Sequence, residues 1–177
     1  VALCEGHGVK VTSAMLDVHT GGAVAEAPPG AHALSLWHLA DGTRAYCLEG
    51  TVITAGSAVE WLVDLGLVRA AEEVSALAQS VATSDGVVFV PALQGLGTPF
   101  AEDGARAAFY GLTRGTGRAH IARAVLEGIA HRCVDVGEAF ALGAVPLRVD
   151  GGLARSAPLL QMIADYGGHE VLLAAEV

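Results

Sequence analysis

The chain has 177 residues, 53% of them hydrophobic and 16% charged, which suits one packed domain or a piece of a larger protein and excludes a disordered chain. Its formal net charge of −9 argues against nucleic acid as a partner, because phosphate backbones are bound by clustered Lys and Arg. A nucleotide stays open, since backbone N–H groups can hold one.

"SAMLDV" (13–18) reads as a strand, and "GGAVAEAPPGAHA" (21–33) as a loop rich in Gly, Pro and Ala. "LSLWHLA" (34–40) alternates Leu34, Leu36 and His38 with Ser35, Trp37 and Leu39, a strand pattern. "DGT" (41–43) is a hairpin turn, because Asp-Gly tolerates positive φ. "RAYCLEG" (44–50) returns as the partner strand, so three strands in sequence predict an antiparallel meander.

The period then changes. In "TVITAGSAVEWLVDLGLV" (51–68), Val52, Ala55, Val59, Leu62 and Leu65 recur as on a helix face. "RAAEEVSALAQSVA" (69–82) is a second, more polar helix. "GVVFVPAL" (86–93) suits a strand buried on both faces, and "QGLGTPFAEDGA" (94–105) is a glycine-rich loop. Residues 118–140 form the strongest helix, with Ile121, Val125, Ile129, Cys133, Val136 and Phe140 on one stripe. A strand (147–149), a glycine pair, a helix (156–166) and a strand (169–174) follow. This alternation predicts an α/β fold, a mixed sheet flanked by helices, with no internal domain boundary.

Cys4, Cys47 and Cys133 are odd in number and contain no C-x-x-C pair, which gives no disulfide framework or zinc motif and fits a reduced, cytoplasmic setting. Charged residues and His interrupt every apolar run short of membrane-spanning length. Val1 in place of Met, with no signal-peptide pattern behind it, reads as a cut N-terminus.

Three stretches carry candidate chemistry. In "LRVDGGLARS" (147–156) a strand leads through Gly151-Gly152 to a helix start. That puts bare backbone beside orphan N–H groups and a positive dipole end, where phosphate or an adenosine can lie. The alternative is a tight turn with Ser156 as helix N-cap. In "ITAGSAVEW" (53–61), Gly56 inside a helix costs about 1 kcal/mol against Ala, so either a ligand or a second helix approaches there. Glu60, one turn on, shares that face. "PALQGLGTPF" (91–100) suits either a lid or a structural Ω-loop. Asp150 either meets a Mg2+-nucleotide or caps its turn. The seven histidines form no metal motif, and His120 and His131 share a helix with no acidic helper at ligand spacing.

At these stretches the chain resembles the FGGY family of carbohydrate kinases, nearly end to end. "YCLEGTVITAGSAVEWL" is similar to the family's Tyr-x-Leu-Glu-Gly … Ala-Gly-x-x-x-x-Trp-Leu segment. Ala107-x-Phe109-x-Gly111-Leu112, then His120, Ile121, Ala124 and Glu127, fall at the spacing of its second signature. "LRVDGG" is similar to its adenosine-side loop. The resemblance implies an actin-like, ribonuclease-H-like ATPase domain, the C-terminal, nucleotide-binding half of a two-domain kinase. It implies ATP and Mg2+ as cofactors, with Gly56 and Glu60 near the phosphates and Gly152 and Ser156, with Gly151, at the adenosine.

The implied reaction is phosphorylation of a small polyol, glycerol foremost, with a pentulose or gluconate as alternatives. A different class is a non-catalytic, actin-like nucleotide-binding module. An Asp at the family's base position, upstream of Val1, separates enzyme from module. The substrate contacts and a closing helix also lie outside this chain by the same resemblance, and a homo-oligomer is left open. Some positions depart from the pattern. The family usually has Gln at Glu60, often Asn at Ser156, and a Trp-Asp pair that "FAEDGAR" lacks. A carboxylate near phosphates is electrostatically unfavourable, so Glu60 points away or is partnered. Thr12 joins Ser13 directly where the family has a Gly-Thr turn that meets the transferred phosphate, and the stretch from Phe140 to Leu147 is short. Both places are read as loops with residues missing.

Overall fold

The computed structural model describes residues 13–143 and 145–174. Strands β1 (Ala14–Gly21), β2 (Ala31–His38) and β3 (Arg44–Val52) form an antiparallel sheet in the order β1-β3-β2. The hairpin between β2 and β3 turns where Asp-Gly predicts it. Leu39 N–H donates to the Thr43 carbonyl at 2.9 Å, and Gly42 has φ of +88°. The meander does not form, because β3 rather than β2 is central. Both outer strands are registered on β3, and the connection 22–30 carries the chain past it.

Helix α1 (Gly56–Asp64) is shorter than the helical period suggests. Val52 ends β3, and Leu65, read as core-facing, is 53% exposed. The helix stops because Gly66 takes φ of +70° while its N–H bonds the Val63 carbonyl at 2.9 Å and Leu67 N–H bonds that of Leu62 at 3.0 Å. That paired closure needs a left-handed residue, which glycine adopts without strain. Helix α2 (Ala71–Gln79) follows. Arg123 Nη1 of another helix donates to the Ala78 carbonyl in the last turn of α2 at 3.4 Å and to the Val81 carbonyl just beyond it at 3.1 Å.

The apolar run 86–93 yields only a short strand, β4 (Val88–Val90), and it is not buried on both faces. Val87 and Phe89 are buried while Val88 is 56% exposed. β4 pairs antiparallel with β5 (Ala108–Tyr110), a strand too short to announce itself in sequence. Trp61 of α1 stacks against Phe89 and Phe109, joining helix to strands through an aromatic cluster.

Helix α3 (Arg118–Ala139) is the axis of the molecule. Val125, Ile129 and Val136 of the predicted stripe are fully buried, and so are Ala122, Ala124, Leu126 and Ala130, because α2, α4, β3 and β4 surround the helix. Strand β6 (Leu147–Val149) pairs parallel with β7 (Val171–Leu173), and α4 (Ala157–Gly167) connects them over α3. Parallel and antiparallel pairing are thus both present, divided among three hydrogen-bonded groups of described strands.

Candidate functional site

The β6–α4 connection needs a glycine. Gly151 has φ of +86° and ψ of −175°, a region essentially closed to residues with a Cβ. A turn of 3-10 helix, Gly152–Arg155, then intervenes before α4. Gly152 is exposed and Gly151 half-buried, so bare main chain faces outward beside the half-buried Asp150.

Ser156 occupies the N-cap position of α4, but its side chain makes no capping bond. The Ser75 hydroxyl of α2 donates to it at 2.8 Å instead, and Ser156 is only 8% exposed. The capping alternative is therefore corrected: the Ser156 hydroxyl fastens α4 to α2. Ser75, the partner, carries no motif that sequence reasoning could have caught.

The second stretch differs in a different way. Gly56 does not sit inside a helix. It is the first residue of α1, after Ala55 as N-cap, so the cost of an interior glycine does not arise. No side chain caps this end, and the first turn holds no acid. Among the described residues, Thr54 Oγ1 and Ser57 Oγ are buried and meet no hydrogen-bond partner. Orphan N–H groups, the positive dipole end and two hydroxyls make this end suitable for an anion. Glu60 lies half-buried one turn on, as its spacing predicts. Helix α2 packs against both α1 and α4, so the two candidate stretches flank one helix.

Thr12 and the Thr12–Ser13 junction lie outside the described residues, as does Ala144 in the short 140–147 stretch. Ser13 is half-buried in a bend ahead of β1.

The third stretch is fastened. Leu96 and Glu102 exchange backbone bonds of 2.8 and 2.9 Å across it. Thr98 is fully buried. Its hydroxyl donates to the Gly30 carbonyl at 2.6 Å and accepts the Thr51 N–H at 3.1 Å. Arg132 of α3, 6% exposed, donates to the Thr98 carbonyl, pairs with Asp135 and lies 4.6 Å over the Phe100 ring. Of the two readings, a structural loop fits these bonds. The histidines of α3 are also structural: His120 Nδ1 accepts the Gly117 N–H at 3.1 Å, and His131 stacks on Tyr166.

One row of titratable groups crosses the first sheet. Asp17, Glu49 and His32 occupy facing positions on β1, β3 and β2. Burial pushes the Asp17 carboxyl up from its ordinary value, and burial and the Asp17 charge push Glu49 up while His32 opposes. The Cys133 thiol, pushed up to about 12 by burial, stays protonated at neutral pH. It lines an apolar cavity among β1, α3, β6 and α4 with Leu16, Ile129, Val136, Val149 and Ile163. Those walls offer little to orient a polar substrate.

Residues 20–177 match the model of the FGGY family of carbohydrate kinases, C-terminal domain. The chain is 45% identical over 172 residues to a glycerol kinase of Thermus brockianus, covering 95% of this chain and 34% of that protein. It is 52% identical over 136 residues to a glycerol kinase of Aromatoleum aromaticum, covering 74% of this chain and 27% of that one. The crystal structure of Plasmodium falciparum glycerol kinase with ADP superposes with a TM-score of 0.85 at 32% identity, covering 93% of this chain and 34% of the other. The fold is the actin-like, ribonuclease-H-like one that the motifs imply.

Proposed function

We infer the function from one premise, that the chain belongs to the FGGY family of carbohydrate kinases. The proposed reaction is ATP-dependent phosphorylation of glycerol at a primary hydroxyl. This chain supplies the nucleotide-binding half, and the polyol contacts and the general base lie elsewhere in the protein. Similarity to glycerol kinases across nearly the whole chain carries the reading. The chain spans about a third of their length, 34% in one case.

The site's geometry supports a nucleotide. Bare backbone at Gly151 and Gly152 lets a flat ring and ribose approach the main chain. The start of α1 offers donors to the phosphates. ATP supplies the transferable phosphoryl group. The chain's own part is to hold it in line with the acceptor, and positioning with charge stabilisation provides most of the rate in such transfers. Among the described residues, no group of three or more His, Cys, Asp or Glu is placed to hold a metal ion. In this reading Mg2+ arrives bound to the nucleotide, and no step here depends on a protein ligand to it.

Calorimetric titration of ADP into the full-length protein and its Gly152→Val variant tests the nucleotide site. The branched side chain is expected to abolish measurable binding, and equal affinity for both proteins would refute the assignment. A coupled assay over glycerol, xylulose and gluconate then tests the acceptor. Glycerol is expected to give the highest kcat/KM, and preference for either sugar substrate would overturn that choice. The 177-residue chain alone is expected to bind ADP weakly and to phosphorylate nothing.

A further inference from the structure

The end of β3 is held from outside its own sheet. β2 pairs with β3 only as far as Ala31 opposite Gly50, whereas β1 continues to Val52. Thr98 takes the place that β2 leaves. Its N–H donates to the Thr51 carbonyl at 3.2 Å, and its hydroxyl accepts the Thr51 N–H at 3.1 Å. The same hydroxyl donates to the carbonyl of Gly30, the residue before β2, at 2.6 Å. The junction is close-fitting. A Cβ on Gly97 would lie 2.3 Å from the Thr51 carbonyl oxygen, and one on Gly30 3.3 Å from the Thr98 backbone. Arg132 fixes the junction from α3, since its guanidinium donates to the Thr98 carbonyl and is held in turn by Asp135 and the Phe100 ring.

Residues 52–55 alone separate Thr51 from Gly56 at the head of α1. Val52, Thr54 and Ala55 are buried, so this short segment is packed along its way and passes a displacement on rather than absorbing it. We propose that Thr98, clamped by Arg132, is a positioning residue for the nucleotide: through Thr51 it sets where the head of α1 stands relative to Gly151 and Gly152. The proposal rests on the nucleotide-binding reading above and gives the 94–105 loop and Arg132 a part in it. Neither side chain touches the nucleotide. A displaced corner between β3 and α1 weakens the hold on the phosphates and leaves the nucleoside end as it is. A merely structural junction would cost stability and leave the affinity of the folded protein unchanged.

The test measures ADP and adenosine affinity by calorimetry in the full-length protein, at a temperature where circular dichroism shows each variant folded. Thr98→Val removes the hydroxyl bonds to Gly30 and Thr51, Thr98→Ser keeps them, and Arg132→Met removes the clamp. Ile163→Ala, a cut in the buried core on α4, costs stability without touching the junction. Thr98→Val and Arg132→Met are each expected to bind ADP about tenfold more weakly than wild type and adenosine as wild type does. Thr98→Ser and Ile163→Ala should keep both affinities. Wild-type ADP affinity in folded Thr98→Val and Arg132→Met would overturn the proposal. So would an equal loss in Ile163→Ala, or parallel losses for ADP and adenosine. If Arg132→Met fails to fold, Thr98→Val and Thr98→Ser decide by the same criteria. Wild-type protein that binds no ADP, or a Gly152→Val variant that binds it normally, would instead remove the nucleotide reading itself, and this proposal with it.

Discussion

Two buried threonines beside β3 have opposite surroundings. Thr98 is 0% exposed and Thr54 1%, so neither hydroxyl reaches water. Thr98 both donates and accepts, and its own carbonyl receives Arg132. Thr54 does neither. The first region is closed on itself and holds β3, the connection to β2, the 94–105 loop and α3 together. The second is enclosed at a helix end with its hydroxyl unsatisfied among the described residues. Burial alone therefore does not separate a satisfied polar group from an unsatisfied one; the accounting of partners does.

The largest effect should come from cutting the closed region at its centre. Arg132→Met keeps the length and apolar stem of the side chain but removes the donor to the Thr98 carbonyl and the charge facing Asp135. A loss of about 3 kcal/mol is expected, because a buried acceptor and one member of an ion pair are left alone. Urea unfolding of wild type and variant measures it. A midpoint within error of wild type would mean that the region is not closed in the sense described.

A smaller effect sharpens the contrast, since one substitution can be made on both sides of it. Thr98→Val strands the Gly30 carbonyl and the Thr51 N–H, for a loss of about 2 kcal/mol. Thr54→Val strands nothing and should stabilise the nucleotide-free protein. Opposite signs in paired thermal melts are the expected outcome. Equal destabilisation would erase the difference between the two regions.

Much of this was legible in sequence, and the misses have physical causes. Helix α3 repeats its apolar residues over six turns' worth of period, and the Asp41-Gly42 turn has few alternatives, so both emerged from local pattern. The central place of β3 did not, because strand pairing is decided by partners far along the chain. The boundary between β3 and α1 was hidden, since Val52, Ala55 and Val59 fit a helical spacing whether or not the first belongs to a strand. Gly66 marked the end of α1 and was a readable signal that the spacing overrode. At the candidate site, the demand for glycine at residue 151 was visible. The Ser75–Ser156 bond and the unpartnered state of Thr54 and Ser57 were not, because satisfaction of a hydroxyl is a property of the folded neighbourhood.

The smallest expected effect carries the same accounting over to charge, on β3 itself. Glu49 faces Asp17 directly across one strand pair and His32 across the other. Two carboxylates in facing positions repel, and the His32 imidazole opposes that repulsion at Glu49. Burial first, then the Asp17 charge, pushes the Glu49 carboxyl up, and burial pushes Asp17 up. A carboxyl whose value is higher folded than unfolded holds its proton more readily in the folded state. Its contribution favours folding below the unfolded value, near about pH 4, and is lost as pH rises through the folded value. Glu49→Gln removes one of the two charges. At pH 7 it should therefore be more stable than wild type by about 0.5 kcal/mol, with the gain shrinking toward pH 4. Thermal melts of both proteins across that range measure it. A gain independent of pH would show that packing, not the facing carboxylates, sets the difference, and a loss at pH 7 would show that Glu49 is paired well enough to belong with Thr98 rather than with Thr54.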